Sequence, residues 1–453
     1  MKARRGMRSV AIACAVAVGA IGLGVGAASA QSGPIDPAVK NVKKVKAPKD
    51  CSNVPGVTDT EIKIGTIAPL TGQASGSGFF PQIVDGEEAR INAANASGEL
   101  GKRKITLVKV DDKGDTAQNV SGAQQLVEQD KVFAILSQSA AGTGSAQYLN
   151  QKGIPVVGWQ LGMDVYGKYT NFFGFQNANA ADIKSNYTTR NGEVMSKIGG
   201  KNIALIGSNQ GNSAIFIEQI ADGIKRVGKG MKVVYKSTDV PVGTTEFGSY
   251  AQQIKDSGAD AMYTGLDTTS NIALINALKQ AGASVTHIIL PAGYDPRVLG
   301  LAAFDQAYLG IEFKPLETTP APKGIADFKA QMTQYKPENP INQSAAVGWL
   351  SANTMIEGIK AAGVNCPTQK AFINNLRLEK NYTADGFFDP IDFQYVFNKP
   401  FQCVYYVQIL NKQFVPAFEG KPVCGDLIKN DKLIAGSTPT TVAGAATTTT
   451  AAK

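Results

Sequence analysis

Short runs of β-branched residues alternate with longer stretches of helical periodicity from Val57 to about Ile434, and few folds satisfy such a pattern. Parallel strands need a crossover of a dozen or more residues, so this alternation specifies βαβ units around parallel sheets. In the first half, strands are expected at Ile62 to Ile67, Ile105 to Val110, Phe133 to Leu136 and Pro155 to Gly158, with helices at Pro81 to Ala96 and Ala117 to Asp130. A second series follows Asn177, with strands Ile203 to Gly207, Lys232 to Tyr235, Ala261 to Thr264, His287 to Leu290 and Tyr308 to Glu312. Helices Ser213 to Val227, Thr245 to Ser257 and Thr269 to Ala281 separate them, stopped by Gly228, Gly258 and Gly282. A further helix spans Gln343 to Ala362, followed by Thr368 to Leu376 and a β-rich end around Val404 to Leu410. The expectation is an α/β protein of two lobes with parallel-type sheets.

The ends do not share this pattern. Lys2, Arg4, Arg5 and Arg8 precede an apolar stretch and Ala28-Ser29-Ala30, so residues 1–30 read as a signal peptide cleaved before Gln31. Cys14 lies too early in the apolar stretch to suit a lipid-anchoring site. Residues 31–56 read as a flexible Lys/Pro-rich linker and 435–453 as a disordered Thr/Ala-rich tail, since neither can bury a core. The net charge of +8 loses 4 with the signal and 3 more in the Lys-rich stretch to Asp50, leaving +1 (8 − 4 − 3), so no nucleic-acid surface is expected. An exported chain would carry Cys51, Cys366, Cys403 and Cys424 in an oxidising compartment, where two disulfides are expected. Of the three pairings, Cys403 with Cys424 flanks the C-terminal β segment and leaves Cys51 with Cys366.

Particular residues point further. Ile62-Lys63-Ile64-Gly65-Thr66-Ile67-Ala68-Pro69-Leu70-Thr71-Gly72, then Gly86-Glu87-Glu88-Ala89, Val110-Asp111-Asp112, Gly153-Ile154-Pro155 and Gly258-Ala259-Asp260-Ala261 resemble, in order, the leucine/isoleucine/valine-binding proteins from about Val57 to Asp392. The resemblance implies a type I periplasmic-binding fold, two Rossmann-like lobes joined by a three-segment hinge, with crossings near Phe175 to Ala178, Pro291 to Asp295 and Asp385 to Pro390. Lobe 1 would then comprise 57–175 plus 295–386, and lobe 2 176–294 plus 387–434. Its implied work is to capture a small polar organic solute, amino-acid-like, an amide or an aromatic acid, for the membrane permease of an ABC transporter. The protein would be periplasmic or at the cell surface, acting as a monomer without a cofactor or metal.

Ligand contacts are expected at Ser77, Gln138, Ser139, Trp159, Gln160, Asn212, Asp267 and Tyr294. Ser139 belongs to a Ser/Gly loop that could bind a carboxylate or simply cap a helix. Trp159 suits a stacking platform or a strand-end core position. The family's Glu for the ligand ammonium falls at Gly293, and Asp267 could replace it or N-cap the next helix. A simple branched-chain amino acid is therefore not the expected ligand.

Catalysis is not expected, because the single histidine, His287, sits at a strand start, and no P-loop, zinc site or nucleophile elbow is present in the sequence. A receptor-type sensor would require a transmembrane or signalling segment, and a sugar-class repressor a DNA-reading helix pair. A secreted hydrolase remains the third alternative.

Overall fold

The computed structural model describes residues 34–72, 79–161, 163–175, 180–209, 211–241, 244–291 and 293–438. The expected signal segment, Ser77 and the tail beyond residue 438 lie outside the described residues.

After a single-turn helix α1 (Pro37–Lys40), the chain builds β1 (Glu61–Ala68), α2 (Phe79–Ser97), β2 (Lys104–Asp111), α3 (Thr116–Gln124), β3 (Ala134–Ser137), α4 (Thr143–Gln151), β4 (Val156–Gly158), α5 (Val165–Lys168) and β5 (Phe172–Gly174). These five strands form one sheet in the order β2-β1-β3-β4-β5, with parallel pairing throughout. β3 and β4 are wholly buried, as strands covered on both faces must be.

The second series is β6 (Asn186–Thr188), α6 (Arg190–Lys197), β7 (Asn202–Ser208), α7 (Gly211–Val227), β8 (Lys232–Val240), α8 (Gly248–Asp256), β9 (Ala261–Gly265), α9 (Thr268–Ala281), β10 (His287–Leu290) and β11 (Tyr308–Ile311). The chain then returns to the first sheet with α10 (Lys323–Tyr335), α11 (Gln343–Ala362), α12 (Gln369–Arg377) and α13 (Phe393–Val396). It ends in β12 (Cys403–Leu410), β13 (Gln413–Pro416), β14 (Val423–Cys424), β15 (Leu427–Lys429) and β16 (Lys432–Ile434). The second sheet runs β13-β12-β11-β10-β9-β7-β8, parallel from β8 to β11 and closed by antiparallel β12 and β13, with β14 also pairing to β12. A small antiparallel sheet, β16-β15-β6, sits beside it.

Two of the expected crossings move. β11 pairs in parallel with β10 and antiparallel with β12, so residues 295–311 stay with the second lobe and the passage comes after Ile311. Residues 385–396 stay with the first lobe, because Phe387 packs on Phe313, Phe328 and Trp349, and Phe393 on Phe173 and Tyr382. The third passage therefore lies between Val396 and Cys403. Part of the first, at residues 176–179, falls outside the described residues.

The first lobe is held by a close helix crossing. A Cβ on Gly86 of α2 would stand 1.9 Å from the Ala345 carbonyl oxygen of α11, and one on Gly348 would stand 1.7 Å from that of Ile83. Only hydrogen at both positions lets the two backbones touch. Arg377, 2% exposed, donates to the carbonyls of Phe393, Thr170 and Phe172 and lies 4.1 Å from the Phe173 ring centre. Burial without a counter-charge pulls its pKa down to about 9.

Residues 34–49, expected as a flexible linker, are instead an ordered strap along this lobe. Val39 is fully buried. Asn375 both donates to the Val45 carbonyl and accepts from its N–H, Asn374 donates to the Lys43 carbonyl, and Gln394 donates to that of Val39. The segment lacks apolar periodicity because side-chain amides on α12 and α13 satisfy much of its backbone, and only scattered residues such as Val39 and Val45 pack against the lobe. Both disulfides are present: Cys51–Cys366 with Cα atoms 5.5 Å apart, and Cys403–Cys424 at 4.0 Å across β12 and β14. At the other end of the described chain, Thr438 is still hydrogen-bonded to Asp426.

Candidate functional site

The carboxyl ends of the strands from both sheets converge on one cleft of about 1010 Å³. This is where open α/β sheets bind ligands, since loops and helix starts there present polar groups that no ladder uses. The first lobe contributes Phe79, Ala140, Ala141, Trp159, Gln160 and Leu161; the second contributes Arg190, Asn191, Asn212, Phe216, Tyr263 and Asp267; Glu312 and Phe401 come from two of the crossing segments.

Four of the expected contacts therefore lie on the cleft wall. Trp159 packs its ring against Phe79 with centroids 5.2 Å apart. Gln160 reaches back towards Gly174, and its amide nitrogen is buried with no hydrogen-bond partner. Asn212 opens α7 and is exposed. Asp267 caps α9, accepting from the Ser270 N–H at 3.0 Å and its hydroxyl at 2.7 Å, so the capping reading holds while the residue still faces the cleft.

Three expected contacts lie elsewhere. Gln138 is fully buried, donating to Glu87 and accepting from the Trp159 N–H, because a buried amide at a strand end must be satisfied internally. Ser139 is fully buried too and caps a 3₁₀ turn through the Ala141 N–H at 3.2 Å. Tyr294, 2% exposed, donates to Glu317 and accepts from the Leu316 N–H, and lines a cavity of about 20 Å³ beside Gly293. Gly293 itself has φ of 128°, a conformation that a Glu would strain to adopt. Ser77 lies outside the described residues.

The sequence reading missed Arg190 and Glu312. Arg190 opens α6 from a polar stretch, Asn186 to Asn191, that carries no apolar period. Its guanidinium lies 5.3 Å from the Phe401 ring centre and donates through Nη1 to the Phe401 carbonyl, while its Nε is buried without a partner. Glu312 follows β11 directly. Placement at the carboxyl end of an expected strand was the signal that could have marked it. Burial raises the Glu312 pKa, opposed by hydrogen bonds from Trp159 and Gln343 and by the Arg190 charge. Among the described residues, no group of three or more His, Cys, Asp or Glu could hold a metal ion, and no helix is long and apolar enough to cross a membrane.

Two Rossmann-like lobes with a cleft between their strand ends define the type I periplasmic-binding class of proteins. The chain belongs to the periplasmic binding protein family, whose sequence profile matches residues 61–413. It is similar to the "Leu/Ile/Val-binding protein homolog 3" of Brucella melitensis, 26% identical over 211 residues covering 45% of this chain and 54% of that relative. The chain thus spans about half the length of this curated relative. Among solved structures, a fatty acid ABC transporter substrate-binding protein from Thermomonospora curvata superposes with a TM-score of 0.69 at 17% identity, covering 87% of this chain and 100% of that one. A solute-binding protein of an ABC transporter from R. palustris, in complex with benzoate, gives 0.67 at 18% identity over 82% and 99%. At such identities the likeness speaks for the fold.

Proposed function

We propose that the chain is the extracytoplasmic substrate-binding component of an ABC transporter, capturing a small polar organic solute, amino-acid-like, an amide or an aromatic acid, by closure of the cleft. One observation carries this reading: the cleft walls belong to two separately built sheets joined by a few crossing segments, and aromatic rings and polar side chains from both walls face the gap. Such a site does its work by binding. A ligand touching both walls has differential affinity for the closed state and so drives closure. The proteins that share this fold include a solute-binding protein in complex with benzoate, a fatty acid ABC transporter substrate-binding protein and a branched chain amino acid ABC transporter with bound valine, which supports the class.

Mass spectrometry of solute released from the purified protein, followed by small-angle scattering with and without it, tests the proposal. A bound small molecule and a smaller radius of gyration on saturation are expected. Conversion of that solute to a product, or an unchanged radius of gyration, would count against it.

A further inference from the structure

We propose that Arg190 is the anchor for an anionic group of the ligand, and that the solute is an organic carboxylate with an aromatic body. This rests on the solute-binding reading above and names the substrate class of the same cleft.

Three charged side chains line the cleft among its described residues: Arg190, Asp267 and Glu312. The Asp267 carboxylate already caps α9 through Ser270. Glu312 accepts from the Gln343 amide at 3.4 Å, and although it feels the Arg190 charge it lies beyond ion-pair distance of it. Arg190 is different. No acidic side chain lies within ion-pair distance of it among the described residues, and one of its N–H groups, at Nε, is buried and unmatched. An unmet charged donor in a sheltered site is costly to leave and strong when filled. The bond from Nη1 to the Phe401 carbonyl and the ring of Phe401 beneath hold the guanidinium in place. The edge bearing Nε is the one that takes a carboxylate in the two-pronged manner.

The surroundings supply the rest of the ligand. Tyr263, 4% exposed, packs edge-on to Phe216 at 5.7 Å, and both line the cleft near Arg190, with Trp159 and Phe79 on the opposite lobe. Facing rings on two lobes close over a flat apolar body, which suits an aromatic acid better than a short aliphatic one.

Calorimetry on the full chain with benzoate, phenylacetate, benzamide and leucine tests this. At least one of the two carboxylates is expected to bind, with benzamide and leucine each weaker by about tenfold or more. Arg190→Gln should lower carboxylate affinity by about tenfold or more and leave benzamide within about threefold, with Arg190→Lys between. Failure of both carboxylates to bind, equal binding of benzamide, tighter binding of leucine, or unchanged affinity in a folded Arg190→Gln would each overturn the assignment. Should that variant not fold, the comparison of carboxylate with amide on the unaltered protein still decides. Release of a different, uncharged solute that closes the lobes would overturn the anchor while leaving the binding-protein reading in place; the absence of any solute together with an unmoving cleft would remove both.

Discussion

Glu87 and Gln138 meet in the interior of the first lobe, where the Gln138 amide donates to one Glu87 carboxylate oxygen at 2.7 Å. Both side chains are fully buried, and the Gln138 oxygen in turn accepts the backbone N–H of Trp159 at 3.2 Å. A helix, the end of β3 and the end of β4 are thereby pinned to one another directly behind the cleft wall. The other Glu87 oxygen has no partner, nor has the Thr66 hydroxyl beside it, and a proton shared between them would satisfy both.

Burial pushes the Glu87 pKa up to about 8. The folded state therefore holds a proton that the unfolded chain gives up near its ordinary value of 4.5, so the stability is fully present below pH 4.5 and is lost as pH rises through about 8. Glu87→Gln keeps the hydrogen bonds without the ionisation. Thermal melts from pH 5 to 8.5 should show a falling Tm in the parent and a flatter profile in the variant, a difference of about 1–3 kcal/mol at the alkaline end. Parallel slopes would exclude Glu87 as the titrating group.

The α2–α11 crossing predicts an asymmetry between glycines. Gly86→Ala drives a methyl into the Ala345 carbonyl and should cost about 3 kcal/mol or more, while Gly248→Ala, with nothing within 4 Å, should stay within about 0.5 kcal/mol. Denaturant midpoints compare them directly. A tolerated Gly86→Ala would mean that the helices are free to separate.

The disulfides close loops of very different length, with sequence separations of 315 and 21 residues. On loop entropy alone, removing Cys51–Cys366 should cost about 6 kcal/mol and removing Cys403–Cys424 about 3 kcal/mol. Double Cys→Ala variants and melts in reductant check the order. Equal losses would show that the ordered strap preceding Cys51 already closes the longer loop without help.

Asn398 joins three segments: it accepts from the Ala181 N–H at 2.7 Å and donates to Asp36 at 2.8 Å, from within the third passage. Its φ of 56° is one that Asn and Gly tolerate. Asn398→Gly should leave global stability within about 1–2 kcal/mol while speeding amide exchange over residues 180–185. Unchanged exchange there would mean that this bridge does not restrain the hinge.

The strand and helix series was readable because buried parallel strands and amphipathic helices write their periods into the sequence, as β3 and α7 do. What was not readable depended on contacts distant in the chain. Residues 34–49 have no period of their own, since their backbone partners, Asn375 and Gln394, lie more than 300 positions away. The second crossing was placed too early because only the pairing of β11 with β12 reveals which lobe keeps it. At the site, Trp159, Gln160, Asn212 and Asp267 followed from their positions at strand ends, whereas Arg190 is drawn into the cleft by the carbonyl and ring of Phe401, 211 residues on.

The strap has a mechanical consequence. Its hydrogen bonds run to α12 and α13 and to Asn398 at the edge of the hinge, and the Cys51–Cys366 bond rivets the chain just beyond it to the same lobe. If the cleft closes as proposed, the first lobe is the stator and the second the rotor: a reporter fixed at residues 37–40 would ride with α12, and any change in its distance to α8 would measure the swing of the second lobe against the first.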